Sequence, residues 1–162
     1  MKFLILSLSL LIMSQAAVAA GREYGIGLAF GDPTAITGKY WVNSESAYDA
    51  GLAFLTDRYM LMYGDYHYHF HDVFKRGPAQ EISPYLGVGG VIAISTGSRS
   101  SKRKFLGESN GDLGMAIRVP LGLEWLPKRV PIGVFGEIVP AMSLIPETSG
   151  FFQGAIGIRY YF

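Results

Sequence analysis

Between Asp112 and Leu126 the chain alternates large apolar residues with small or charged ones. Leu113, Met115, Ile117, Val119, Leu121, Leu123 and Trp125 fall on one side, and Gly114, Ala116, Arg118, Pro120, Gly122 and Glu124 on the other. A period of two is the mark of extended backbone, whose side chains leave opposite faces in turn. The same rhythm runs back from the last residue, with Phe162, Tyr160, Ile158 and Ile156 on one face and Tyr161, Arg159, Gly157 and Ala155 on the other. Turn-forming residues cut the pattern into eight stretches. They run over 22–30, 34–42, 46–55, 58–71, 82–95, 112–126, 130–144 and from about 151 to the end. Strand six is read as one unbroken run.

The chemistry of the two faces separates a soluble barrel from a membrane one. A soluble eight-stranded barrel turns its aliphatic face inward and shows many charges to water. Here the face opposite the aliphatic stripe is mostly Gly and Ala with an occasional charge. That composition suits a narrow lumen, and the continuous aliphatic face suits lipid. Strands of about 9–11 residues cross a bilayer when tilted, and an even number closes an antiparallel barrel. The expectation is therefore an all-β fold, an eight-stranded antiparallel up-and-down transmembrane β-barrel.

Aromatic residues test this reading, because membrane barrels carry aromatic girdles at both interfaces. With strand one starting in the periplasm, Tyr24, Tyr40, Trp41, Tyr48, Tyr66, Tyr68, Phe70, Trp125, Tyr160 and Phe162 gather at the periplasmic rim. Phe30, Phe54, Tyr59 and Phe152 gather at the other. The 43–45 and 127–129 turns are then periplasmic, with 72–81 an unusually long periplasmic connection, and the 96–111 loop is extracellular.

The first residues add an export signal. Lys2 precedes an apolar run over 3–13, and Ala17-Val18-Ala19 gives an A-x-A cleavage pattern, with a cut after Ala20 as the alternative. The run is too short for a spanning helix, which needs about 20 apolar residues. The division expected is a cleaved signal peptide over 1–19 and a barrel domain over 20–162. The chain has no Cys, so disulfides and Cys-based metal sites are excluded. A net charge of +1 gives no hint of nucleic acid as a partner.

These features resemble the small outer-membrane barrels of the OmpA transmembrane-domain and OmpX type. The most specific point of likeness is the C-terminal assembly signal of that group, which Gly157, Tyr160 and Phe162 match; Ala155 stands where a polar residue is usual. The resemblance implies export to the periplasm, insertion by the barrel-assembly machinery, residence in the cell outer membrane, and contact there with lipid and lipopolysaccharide.

Candidate chemistry is sparse. Lys39, Asp49, Asp65, Arg118, Glu124, Glu137 and Arg159 fall on the lumen face, where burial of a charge is costly unless it is paired. Eight strands leave an interior that side chains can fill, so these seven read as an ion-pair network plugging the lumen; a low-conductance pore for ions or small solutes is the alternative. His67 and His69 share a face with Asp65, a spacing that could chelate a metal only if further ligands converge. The reading preferred for His67, His69 and His71 is polar lumen residues wetted at the periplasmic rim, with no metal or cofactor. Lipid A-modifying enzymes of this barrel type use a His-x-Ser pair on a late strand or a His in the outer loops. Neither occurs here, and no catalytic residue is assigned. Finally, Arg99, Lys102, Arg103 and Lys104 make the 96–111 loop basic. Either it meets an acidic or host ligand, or lipopolysaccharide phosphates, or it is a solvated connector.

Overall fold

The computed structural model describes residues 22–55, 59–71, 73–74, 77–95, 113–145 and 148–162. The signal segment 1–19 and the basic loop 96–111 lie outside the described residues. Among the described residues the strands are β1 (Tyr24–Asp32), β2 (Ala35–Trp41), β3 (Ser46–Leu55), β4 (Tyr59–His69), β5 (Ile82–Ser95), β6 (Leu113–Arg118), β7 (Leu121–Trp125), β8 (Ile132–Ile145) and β9 (Ser149–Tyr161). β1 to β5 each pair antiparallel with the next strand in sequence, and β6 and β7 both lie between β5 and β8. β9 pairs with β8 and returns to β1 through the register Gly25↔Tyr161 to Asp32↔Gly154. The ladder is closed and has no free edge.

β6 and β7 are two halves of one stave. Both pair with β5 on one side and β8 on the other, and the register carries across their junction, Gly89↔Arg118 and Leu86↔Leu121 on β5, Arg118↔Ala141 and Leu121↔Ile138 on β8, shifting against β8 only between Met115 and Ala116. The run expected over 112–126 is therefore interrupted. Pro120 is the cause, since a proline has no N–H to give to the ladder. Flanking bonds bridge the gap, Val119 N donating to Pro140 O at 3.0 Å and Gly87 N to Pro120 O at 2.7 Å. Eight staves result, as the alternation predicted.

The apolar stripe points outward. Phe152 and Ile156 are 77% and 69% exposed, and Leu113, Met115, Ile117, Val119, Leu121, Leu123 and Trp125 are all exposed, whereas Arg118 and Arg159 are each 2% exposed. A closed barrel satisfies every strand's backbone within itself, which is the condition for crossing hydrocarbon. One rim, called terminal here, holds Arg22 and Phe162, the hairpin after β2, the connection from β4 to β5 and the turn after β7; the distal rim is the one at which β1 ends and β2 begins.

Two details shape the terminal rim. Asn43 Oδ1 accepts from Glu45 N and Ser46 N, both at 2.9 Å, so an Asx turn closes the hairpin between β2 and β3. The connection expected as a long periplasmic turn contains a short 3-10 helix, Gly77–Glu81. Its last residue, Glu81, accepts from Trp125 Nε1 at 3.3 Å and Lys128 N at 3.1 Å, which moors the connection to the neighbouring turn.

Candidate functional site: a lumen filled by paired charges and rings

Strand alternation sends every second side chain of each stave into the lumen. Glycines on neighbouring staves make room for the large ones. A methyl group at Gly51 would overlap the Tyr63 ring, one at Gly122 the Tyr85 ring, and one at Gly157 the Phe135 ring. Large and small side chains thus alternate around a bore too narrow for two large ones side by side.

Nearest the terminal rim the lumen holds a charge cluster centred on Glu124, which is 0% exposed. Lys39 Nζ forms an ion pair with Glu124 and donates to His69 Nε2 at 2.8 Å. Tyr161 donates its phenolic hydroxyl to Glu124 Oε1 at 2.5 Å, and Arg159 Nη1 lies 3.6 Å from the same oxygen. Arg159 Nη2 also reaches Asp49 Oδ2 at 2.6 Å and Thr37 Oγ1 at 2.9 Å, while Thr37 donates to Asp49 Oδ1 at 3.1 Å. Beneath the guanidinium, 3.7 Å away, lies the Phe135 ring. Desolvated charges of this kind persist only when each has an opposite partner and hydrogen bonds besides.

A second cluster sits one layer deeper. Arg118 Nε is 3.2 Å from Asp65 Oδ1, and its Nη2 is 3.4 Å from Glu137 Oε1. Tyr85 donates to Glu137 Oε2 at 2.7 Å and packs against both His67 and His69, with centroids 4.7 and 5.0 Å apart. Tyr85 thereby couples the two clusters. Beyond Arg118, toward the distal rim, the filling becomes mostly apolar, with Ser143 and Gln153 as buried polar side chains. Ala35, Ala53, Leu61, Tyr63, Val91 and Ala116 form a buried group with Phe151 packed on it, and the Arg118 guanidinium lies 4.1 Å from the Tyr63 ring centre.

All seven charged residues that alternation assigned to the lumen are found inside it, in two groups: Lys39, Asp49, Glu124 and Arg159, and Asp65, Arg118 and Glu137. His67 and His69 correct the sequence reading. They are buried within the column, each 1% exposed, and are not wetted at a rim; only His71 is exposed there. A loss of two residues' alternation from the rim is enough to take a side chain out of water. His67 Nε2 lies 3.9 Å from Asp65 Oδ2. Among the described residues no group of His, Asp or Glu converges closely enough to hold a metal ion.

Trp41 is the second correction. Assigned to the lipid girdle from its rim position, it faces inward, its ring 4.5 Å from His69 and its centroid 4.8 Å from Lys39 Nζ. Its odd position, shared with Thr37 and Lys39, carried that information. Tyr40, on the other parity, points outward and stacks on Tyr24 at 4.8 Å. Sequence reasoning also missed Thr37, Tyr63, Tyr85, Phe135 and Tyr161 as lumen partners. Parity finds them, but only once charges cease to be the sole lumen residues sought. Above Trp41 and Tyr161 a cavity of about 420 Å³ opens at the terminal rim, lined also by Arg22, Val42, His71 and Leu126 among others.

A closed ladder, an apolar belt outside and a charged interior define a transmembrane β-barrel of eight antiparallel, up-and-down staves. No protein-family model and no curated protein matches the chain. Solved structures do. Neisserial surface protein A (NspA) is 14% identical, with a TM-score of 0.46 over 86% of this chain and 93% of that one. The outer membrane enzyme PagL is 16% identical, with a TM-score of 0.46 over 84% and 98%. Ail, the attachment invasion locus protein of Yersinia pestis, is 14% identical, with a TM-score of 0.37 over 86% and 93%.

Proposed function

We propose that this barrel is a non-conducting, non-enzymatic scaffold in the outer membrane, and that its task is to present the basic 96–111 loop at the cell surface. The observation that supports the closed lumen best is its layering. Two ion-paired clusters, bridged by Tyr85, are followed by the apolar group around Leu61, Tyr63 and Val91. An ion passing through would have to break paired charges and then cross a segment with few polar partners, and both steps are costly. Recording from planar bilayers tests this directly. A silent wild-type protein agrees with the scaffold, while reproducible discrete conductance steps would replace it with the low-conductance pore.

In this reading Arg99, Lys102, Arg103 and Lys104 engage phosphate groups of lipopolysaccharide or an acidic host ligand. Gly157, Tyr160 and Phe162 serve the assembly machinery during insertion. Tyr160 is exposed on the belt, while Gly157 faces inward, where it accommodates Phe135. Replacing the four loop cations with Gln should abolish binding to anionic-lipid vesicles without changing the heat-dependent gel mobility of the folded barrel. Undiminished binding would reduce the loop to a connector.

A further inference from the structure

We propose that the cavity at the terminal rim is a binding site for a small planar aromatic acid. Its volume, about 420 Å³, falls within the range of about 300–1,000 Å³ typical of small-molecule sites. The lining has the composition such sites share, with ring surface from Trp41, His71 and Tyr161, aliphatic surface from Val42 and Leu126, and one charge of each sign at the lip, Arg22 and Glu23, beside the polar Asn43 and Ser44.

What distinguishes this cavity from a chance depression is that partners outside it already fix its walls. The Tyr161 hydroxyl is held by Glu124 at 2.5 Å. Trp41 rests on His69, 4.5 Å away, with Lys39 Nζ 4.8 Å from its ring. His71 Nδ1 accepts from Ser83 Oγ at 2.8 Å, and its Nε2 donates to Ser44 O, which sets both tautomer and ring plane. Arg22 donates through Nη1 to Pro127 O and through Nη2 to Lys128 O, each at 2.9 Å. A site ordered before its ligand arrives loses little side-chain entropy on binding. The rings offer stacking surface, so the ligand is flat. Of the two charged groups at the lip, Arg22 is anchored by two carbonyls and has N–H donors left for a carboxylate, so the end of the ligand that meets Arg22 is anionic, turned away from Glu23.

The chain has two tryptophans, and they provide a built-in control. Trp41 lines the cavity, and Trp125 is exposed on the lipid-facing side. Protein labelled with 15N-tryptophan and folded in detergent micelles would be titrated with 2-naphthoate, Trp125→Phe assigning the two indole signals. The expected result is a saturable shift of the Trp41 signal with Trp125 unmoved. Arg22→Gln should weaken 2-naphthoate about tenfold, the loss of one charge-assisted contact, and leave the weaker binding of neutral 2-naphthylmethanol unchanged. Leu126→Phe should crowd the ring surface and weaken 2-naphthoate by at least about tenfold, with heat-dependent gel mobility showing that the barrel still folds. Three results would each overturn the site: equal, non-saturating shifts of both indoles, which mark simple partition into the micelle; wild-type binding by Leu126→Phe; or wild-type affinity for 2-naphthoate in Arg22→Gln.

Discussion

At the scale of single residues, Glu124 carries the most connections in the lumen. It meets Lys39, Arg159 and Tyr161 at once and accepts no help from solvent. Removing one partner of a buried ion pair typically costs about 3–5 kcal/mol, because the other charge is stranded, whereas replacing both by apolar groups costs much less. Glu124→Ala should therefore lower unfolding free energy in urea by about 3 kcal/mol or more. The double variant Lys39→Met with Glu124→Leu should lose less than that single change. Were the double variant the worse of the two, Lys39 would owe its burial to groups other than Glu124. Parity alone picked out Lys39, Asp49, Asp65, Arg118, Glu124, Glu137 and Arg159, because on a strand position in the alternation decides the face. It could not reveal which of them pair, since Lys39 and Glu124 are far apart in sequence and meet only across the closed bore.

At the scale of strands, the lipid face and the lumen face obey different rules. Charges on the outer face of a barrel cost about 2–4 kcal/mol at the bilayer midplane and about 0–1 near the interfaces. Val119 lies midway along the stave formed by β6 and β7, and Leu113 at its distal end. Val119→Arg should thus destabilise the folded barrel by several times as much as Leu113→Arg, as read from urea midpoints in lipid vesicles. Inside, the cross-strand pair Gly51↔Tyr63 places a ring over a residue without a side chain. Gly51→Val should cost about 1–3 kcal/mol through overpacking, and Tyr63→Ala in the same chain should recover part of it; a double variant no more stable than Gly51→Val would show that the ring is not what the new side chain meets. Strand positions were legible to within one or two residues, β5 at both ends. The break at Pro120 was not anticipated, because the hydrophobic pattern runs straight through it while the hydrogen-bond ladder does not. Nor was the 3-10 helix Gly77–Glu81, whose mooring through Glu81 to Trp125 and Lys128 is a tertiary contact.

For the whole molecule, closure places its charges in two environments that respond differently to salt. Buried pairs are screened little, whereas exposed charges lose their reach over a Debye length of about 10 Å at 0.1 M. Raising NaCl from 50 mM to 0.5 M should therefore barely move the unfolding midpoint, while any binding of anionic vesicles through Arg99, Lys102, Arg103 and Lys104 should fall steeply. A midpoint that fell as steeply would place the ion pairs in contact with solvent. By itself the sequence determined the extended backbone, the eight staves and the outward direction of the oily stripe, because each follows from a local period of two and from the chemistry of alternate positions. Only the tertiary structure decided that Arg118 pairs with Asp65 and Glu137, that Tyr85 joins the two clusters, that His67 and His69 are dry, and that Trp41 turns inward to floor a cavity. Those contacts join staves distant along the chain, and their geometry exists only once β9 has met β1 and the circumference of the ring is set.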